Sequence, residues 1–298
     1  GAIGCELAQA FARFGTQVTV YEQAGAILQI EDAEAAELVR EAMARDGVRF
    51  VLKANILQVL KHKDGLVIYH RANGAVENLV VDEILLAAGR APNVEGLALE
   101  AAGVLYDRSG VLVNDELQTA NPLVYAAGDV CSRFKFTHAA DAMARLVINN
   151  VLSPVKQKVS DLVIPWCTFT DPELARVGLS EEEARAKGLK VETFTWRLDE
   201  VDRAILDGED VGFGRVHVRK GTDKILGATI VAARAGDIIS EITLAMTNGL
   251  GLSAVHKTIH PYPTQAEVVK RLGDAYNRTR LTPLLKTVME KWLSSRRR

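Results

Sequence analysis

The stretch Leu117–Gln118–Thr119–Ala120–Asn121–Pro122–Leu123–Val124–Tyr125–Ala126–Ala127–Gly128–Asp129 decides the fold. A polar start with a Pro turn leads into an apolar run, Val124 to Ala127, whose pattern reads as a short strand. Gly128 ends the run, and Asp129 sets a carboxylate at its carboxyl end. In an open α/β sheet, ligands bind outside those ends. A Gly-Asp after a strand is also an ordinary turn. Its weight here comes from its neighbours: part of a glycine-rich fingerprint at residue 1 and a His-Pro-Tyr-Pro-Thr segment near the end.

The chain has 298 residues, enough for two or three domains with sizeable cores. Hydrophobic residues make up 48% and charged residues 25%, the balance of a globular protein. A net charge of −2 gives no electrostatic ground for a nucleic-acid partner. The tail Arg296–Arg297–Arg298 reads as an exposed basic terminus. No apolar run reaches the roughly 18 residues of a spanning helix, and no signal peptide is visible. A cytoplasmic protein with no membrane segment in this stretch is the expectation. The chain starts at Gly1 rather than Met, partway through a motif, and so reads as the C-terminal part of a longer protein. Cys5, Cys131 and Cys167 lie far apart, with neither redox-pair nor metal-ligand spacing, and read as small buried hydrophobes. No metal site is expected.

Residues 1–90 read as a nucleotide-binding domain. Gly1–Ala2–Ile3–Gly4 supplies the last two glycines of G-x-G-x-x-G. Ile3, Leu7, Phe11 and Phe14 follow at helical spacing, with Gly15 at the C-terminal cap. Val18–Tyr21 reads as a strand closed by Glu22, 18 residues after Gly4 and close to the roughly 20 expected for a ribose-binding acid. Glycines let the backbone approach a pyrophosphate, and the helix N-terminus presents amides and a positive dipole end to it. A carboxylate at the second strand accepts from ribose hydroxyls and repels a 2′-phosphate, so NADH is favoured over NADPH. Asp32–Asp46 reads as an amphipathic helix with Ala35, Leu38, Val39, Ala42 and Met43 inward. Strands are expected at Val48–Leu52, Ile56–Leu60, Leu66–His70, Leu79–Val81 and Ile84–Ala87, with an Asn73–Gly74 turn; His62 and His70 read as solvated strand residues.

That last strand runs into Ala87–Ala88–Gly89–Arg90–Ala91–Pro92–Asn93. Half a nucleotide fingerprint, a β-rich insert and A-x-G-R-x-P-N, in this order, resemble the flavin-dependent pyridine nucleotide–disulfide oxidoreductases. The resemblance implies Rossmann-like α/β nucleotide-binding domains, the FAD part incomplete here, followed by an α+β dimerisation domain. It implies FAD and NAD(P)H as cofactors. It places Gly89 and Arg90 near the bound nicotinamide nucleotide and Glu6 near the nicotinamide; by itself Glu6 also fits a solvated acid near a helix start.

Residues 91–155 would be the C-terminal part of the FAD-binding domain. Leu97–Ala102 reads as a short helix closed by Gly103, and Val111–Val113 as a strand. The opening stretch, T-x-x-x-x-V-Y-A-A-G-D, is similar to the family's second flavin motif, which implies that Gly128 and Asp129 hold the ribityl chain of FAD. Phe136 to about Leu152 reads as a helix with Ala142, Leu146 and Val147 inward. The resemblance aims its N-terminus at the flavin pyrimidine ring, which makes Thr137 and His138 candidates for flavin contact.

Residues 156–298 would form the interface domain of a homodimer. Ile164–Glu173 and Val177–Ser180 resemble its start, Ser180 and Glu183 form a capping-box pattern, and Gly188 stops that helix. Strands are expected at Val191–Trp196, Phe213–Arg219 and Ile225–Val231, and a helix from Gly236 to Met246. In His260–Pro261–Tyr262–Pro263–Thr264–Gln265–Ala266–Glu267 the prolines hold His260 extended before a helix. An imidazole oriented by a carboxylate is a general base, and the resemblance assigns His260 and Glu267 to proton transfer at a redox site across the dimer. Thr264 and Glu267 also satisfy a capping box by themselves. Leu284, Leu285, Val288 and Trp292 mark a last amphipathic helix, expected on the body or on a partner.

The leading expectation is a flavoprotein passing hydride from NAD(P)H through FAD and a Cys pair upstream of this chain to a small disulfide. Within the family, the F-T-H-A-A-D stretch looks most like mercuric reductase-like proteins, which makes a mercuric or other metal-ion reductase the alternative. Leu293–Ser294–Ser295–Arg296 stands where such a reductase carries vicinal cysteines for the soft metal. A non-catalytic nucleotide-binding and dimerisation fragment is the third reading, and this chain alone is expected to be inactive.

Overall fold

The computed structural model describes residues 1–296; Arg297 and Arg298 of the basic tail lie outside the described residues. The chain divides into two compact units, Gly1–Ala87 with Pro165–Arg298 and Ala88–Ile164.

The N-terminal part of the first unit runs α1 (Ala2–Arg13), β1 (Thr19–Tyr21), α2 (Ala33–Arg45), β2 (Arg49–Val51), β3 (Asn55–His62), β4 (Gly65–Ala72) and β5 (Ala75–Val81). Asp32 caps α2 by accepting from the backbone of Glu34 and Ala35 at 3.0 and 3.2 Å. Burial of Ala35, Ala36, Val39, Ala42 and Met43 holds α2 in place, with Leu38 half-buried beside them. β1 and β2 pair in parallel with α2 as the crossover, a βαβ unit. β3, β4 and β5 form an antiparallel meander, turned at Asn73 (φ 51°) and Gly74 (φ 84°), the two-residue hairpin that favours Asn-Gly.

Three expectations change in this part. Ile84–Ala87 joins no sheet, because no described strand offers it a ladder. His70 is buried rather than solvated, packed edge-on against Tyr21 with ring centroids 4.8 Å apart. The helix α1 forms, but Ile3, Leu7, Phe11 and Phe14 are exposed and its buried face is Cys5, Ala8 and Gln9. Gln9 turns that face inward: its amide donates to the Asp171 carbonyl and accepts from the Asp171 N–H, both at 2.8 Å.

The second unit carries β6 (Tyr106–Asp107) paired with β7 (Gly110–Val111), and α3 (Thr137–Leu152). Leu117, Ala139, Met143, Leu146 and Ile164 form its core. Leu97–Ala102 closes as successive turns ending at Gly103, not as a helix. Of the expected Val111–Val113 strand only Val111 belongs to a strand, β7. Val124–Ala127 likewise forms no full strand. It is tied back by a Gln118–Tyr125 bridge and by Ala126 N–H to the Leu117 carbonyl, then enters a short 3₁₀ turn at Gly128–Val130.

The C-terminal part returns to the first unit with β8 (Pro165–Thr168), β9 (Glu173–Gly178), α4 (Glu181–Ala186), β10 (Val191–Arg197), α5 (Asp202–Asp207), β11 (Phe213–Arg219), β12 (Ile225–Ala232), α6 (Ala235–Thr247), α7 (Leu252–Lys257), α8 (Glu267–Thr279) and α9 (Pro283–Arg296). The Ser180–Glu183 capping box opens α4 as expected. Five strands form an antiparallel sheet in the order β10-β11-β12-β9-β8.

Strand side chains alternate between faces, and here both faces are covered. One is apolar: Ala175, Val177, Val216, Val218, Ala228 and Ile230 are buried, and a Cβ on Gly214 would come within 2.8 Å of Val268 in α8. The other carries Leu174, Phe213 and Val231, which share one core with Cys5, Ala8, Ile27, Val39 and Met43. Residues 1–87 and 165–296 are therefore packed through a common core.

Two arginines stand on that second face. Arg176 is 3% exposed and binds the Ile30 carbonyl and Glu183, with Glu31 Oε2 4.0 Å away. Trp166 Nε1 donates to Glu31 at 2.7 Å. Burial raises the Glu31 carboxyl above its ordinary range. Arg215 bridges Asp32 at 2.7 Å and Glu34 at 2.5 Å. Arg176→Ala would strand the buried Glu31 beside an apolar core, and loss of one partner of a buried pair costs about 3–5 kcal/mol. Urea unfolding followed by tryptophan fluorescence should show a loss of that size; a loss below about 1 kcal/mol would put the cluster with ordinary surface pairs.

Candidate functional site

In the first unit the candidate residues gather at the start of α1 and the end of β1. Gly1 is the N-cap of α1, and the helix start has no side-chain cap. A Cβ on Gly4 would lie 3.3 Å from that of Ala87, so glycine permits the close packing. Glu22 follows β1 directly, its N–H on the Val51 carbonyl at 3.0 Å. Its Oε1 accepts from the Ala24 N–H at 3.0 Å, which fixes the carboxylate at the strand end. Glu6 is committed elsewhere in part: its Oε1 accepts from the Phe169 N–H at 2.8 Å. His70, behind Tyr21, has no hydrogen-bond partner on either ring nitrogen; its place was unreadable in sequence because 49 positions separate it from the strand it supports.

In the second unit the turn at Gly128 does the positioning. Its φ is +78°, and a Cβ there would come within 2.9 Å of Ala140 in the first turn of α3. Glycine alone permits both the backbone angle and the approach. Asp129 is thereby carried beside the start of α3, which has no side-chain cap. The Asp129 side chain stays 47% exposed, with one long contact to Arg90 Nη1 at 3.4 Å. Arg90 also donates to the Lys135 carbonyl at 3.2 Å, and Lys135 Nζ to that of Asp129 at 2.9 Å. Arg90 thus joins Asp129, a pairing the sequence did not suggest. Gly89 precedes it at φ +116°. Thr137 and His138 are exposed on the first turn of α3, with His138 stacked on Phe136 at 5.4 Å.

The His260 segment is built differently from expectation. His260 Nε2 lies 2.9 and 3.0 Å from the two oxygens of Glu241 on α6, and Nδ1 is 3.1 Å from the Thr258 carbonyl. The imidazole is 6% exposed. Glu267 instead pairs with Arg271 one turn further along α8, at 2.6 Å, so the expected His260–Glu267 contact is not made. The helix begins at Glu267 itself, which turns that side chain along α8 rather than back toward His260. Tyr262 is the group the segment presents, 70% exposed, with its hydroxyl donating to Asp202 at 2.6 Å. That bond holds the phenol above its ordinary range. Glu241 was missed because it lies 19 positions away on another helix.

No thiol is poised for reaction. Burial pushes Cys5 up to about 11, and burial also raises Cys131 and Cys167, the latter helped by Glu173.

Comparison with known proteins gives this geometry a family. Residues 1–144 match the pyridine nucleotide-disulphide oxidoreductase model, and residues 164–272 match that family's dimerisation domain. A mercuric reductase of Staphylococcus aureus is 37% identical over 271 residues, covering 91% of this chain and 50% of the relative. A dihydrolipoyl dehydrogenase of Thermus scotoductus is also 37% identical, covering 93% and 60%. The chain spans about half the length of the curated mercuric reductases it matches. Among solved structures, the HOCl-induced flavoprotein disulfide reductase RclA from Escherichia coli superposes with a TM-score of 0.83 at 29% identity, over 92% of this chain and 62% of that one. LpdA from Mycobacterium tuberculosis gives 0.85 at 25% identity, over 93% and 60%. With both parts of one architecture matched in order along its length, the chain belongs to the pyridine nucleotide-disulphide oxidoreductase family.

Proposed function

We propose that the whole protein is a cytoplasmic, homodimeric flavoprotein that uses NADH to reduce a small disulfide through a cysteine pair outside these 298 residues. The observation that carries this reading is the turn at Gly128, which sets the open Asp129 carboxylate beside an uncapped helix start. That pairing suits FAD: a carboxylate accepts from ribityl hydroxyls, and first-turn amides of α3 with Thr137 and His138 stabilise negative charge on a flavin ring. FAD bound there would supply two-electron transfer from a nicotinamide to a disulfide.

The chain's own residues do the remaining work. Gly1, Gly4 and the start of α1 suit a pyrophosphate, and Gly89 with Arg90 suits the nicotinamide nucleotide or, through Asp129, the flavin side. Glu6 keeps one oxygen free of Phe169 for the nicotinamide. Glu22 accepts from ribose hydroxyls and repels a 2′-phosphate, hence NADH. Tyr262 takes over the role expected of His260 and Glu267: its protonated phenol exchanges Asp202 for the thiolate leaving a disulfide, donating a hydrogen bond to it across the dimer. His260 anchors that segment through Glu241.

The mercuric reductases at 37% identity favour a second substrate, a soft metal ion reduced through the same cysteines. NADH oxidation by the complete protein, driven by lipoamide, glutathione disulfide or Hg(II), separates the two. Turnover with Hg(II) and not with disulfides overturns the first reading.

Glu22→Ala in the complete protein should raise the NADPH-to-NADH ratio of kcat/KM about tenfold, a change of about 1.4 kcal/mol. A wild-type protein with the lower KM for NADPH contradicts the role of Glu22. Tyr262→Phe should lower disulfide turnover about a hundredfold while NADH still bleaches the flavin at the wild-type rate. His260→Ala should lower Tm as well as turnover. If Tyr262→Phe leaves turnover intact and His260→Ala abolishes it without moving Tm, His260 regains the proton-carrying role.

A further inference from the structure

The helix α9 is amphipathic, and nothing in its own unit covers it. Leu284, Leu285, Val288, Met289, Trp292 and Leu293 recur at i, i+1, i+4, i+5, i+8 and i+9, a stripe about half the helix circumference wide. Every one of them is between 44% and 76% exposed, and no residue of α9 is buried. Leu281, just before the helix, extends the stripe at 53%. Of the two places expected for this helix, the body and a partner, the body does not cover it. The side-chain hydrogen bonds of α9 close locally: Thr287 on Pro283, Ser294 on Glu290 and Ser295 on Trp292.

The charge around the stripe is one-sided. Arg278, Arg280, Lys286, Lys291 and Arg296 stand against Glu290 alone between residues 278 and 296, in a chain whose net charge is −2. Lys286 and Lys291 flank the stripe and Glu290 falls on the polar face, while Arg296, at the last position of the helix, lies over the Trp292 ring at 4.8 Å within the apolar face. The matched dimerisation domain ends at residue 272, before α9 begins. This surface is thus separate in sequence from the family's pairing region.

A surface of leucines and a tryptophan flanked by lysine and arginine complements an anionic bilayer: the apolar side enters the headgroup–acyl boundary, and the cations meet phosphate. Among the described residues no helix is long and apolar enough to cross a membrane. At 1.5 Å per residue, α9 is about 21 Å long, short of the roughly 30 Å hydrocarbon layer. It fits lying in the plane. We propose that α9 is an in-plane anchor that binds the surface of an anionic phospholipid membrane. This does not depend on the redox reading.

The test is flotation of the 298-residue chain with vesicles of 30% phosphatidylglycerol in phosphatidylcholine, beside pure phosphatidylcholine, with sedimentation velocity to follow self-association. The chain should float with the anionic vesicles and about tenfold less with the neutral ones. Lys286→Glu with Lys291→Glu should remove the preference, and Val288→Ser with Trp292→Ser should remove binding altogether. These side chains are exposed, so neither pair should move Tm. Absence of flotation with either vesicle overturns the proposal. So does self-association that Val288→Ser with Trp292→Ser abolishes in a chain that ignores vesicles, which would assign the stripe to a second copy.

Discussion

Two guanidinium groups on one face of an antiparallel sheet have to be met by carboxylates, and residues 31–34 together with Glu183 supply them. Arg176 and Arg215 sit where strand alternation directs them, toward the N-terminal segment, and burial without partners would be costly. Glu31 and Glu183 gather around Arg176, while Asp32 and Glu34 take Arg215. Asp32 also caps α2 with its other oxygen. One carboxylate thus ties the start of the crossover helix to the sheet.

The candidate site residues differ in how far the protein has already used them. Asp129 is half-exposed with a single long contact, a carboxylate that retains acceptor capacity for a ligand. Glu22 has one oxygen fixed and Glu6 one oxygen spent. His260 is fully engaged by Glu241 and Thr258, while Tyr262 faces outward from the same segment. A group whose hydrogen bonds are filled orients its neighbours, and a group with open capacity binds. That distinction is the ground on which the phenol of Tyr262, and not the imidazole of His260, is proposed to face a substrate.

Much of the fold is readable from local pattern. The stripe of α2, the Asn73–Gly74 turn, the capping box of α4 and the strands β10, β11 and β12 all follow from periodicity and turn chemistry, which act within a few residues. The misses share one cause. Val124–Ala127 and Ile84–Ala87 have the composition of strands, but a strand exists only where a neighbour offers a ladder. The apolar stripe of α1 points outward because Gln9 and Asp171 set its rotation through paired hydrogen bonds. His70 is buried because Tyr21 lies over it.

The sequence by itself determined the order of the segments, the glycine positions at the nucleotide and flavin motifs, and the family resemblance, since each rests on residues close together in the chain. Only the tertiary structure decided the partners: Arg90 with Asp129, Glu241 with His260, Asp202 with Tyr262, Arg176 with Glu31. The physical reason is that a charged or polar side chain takes whichever partner packing brings within reach, here 2.6 to 4.0 Å, and sequence separation carries no information about that distance.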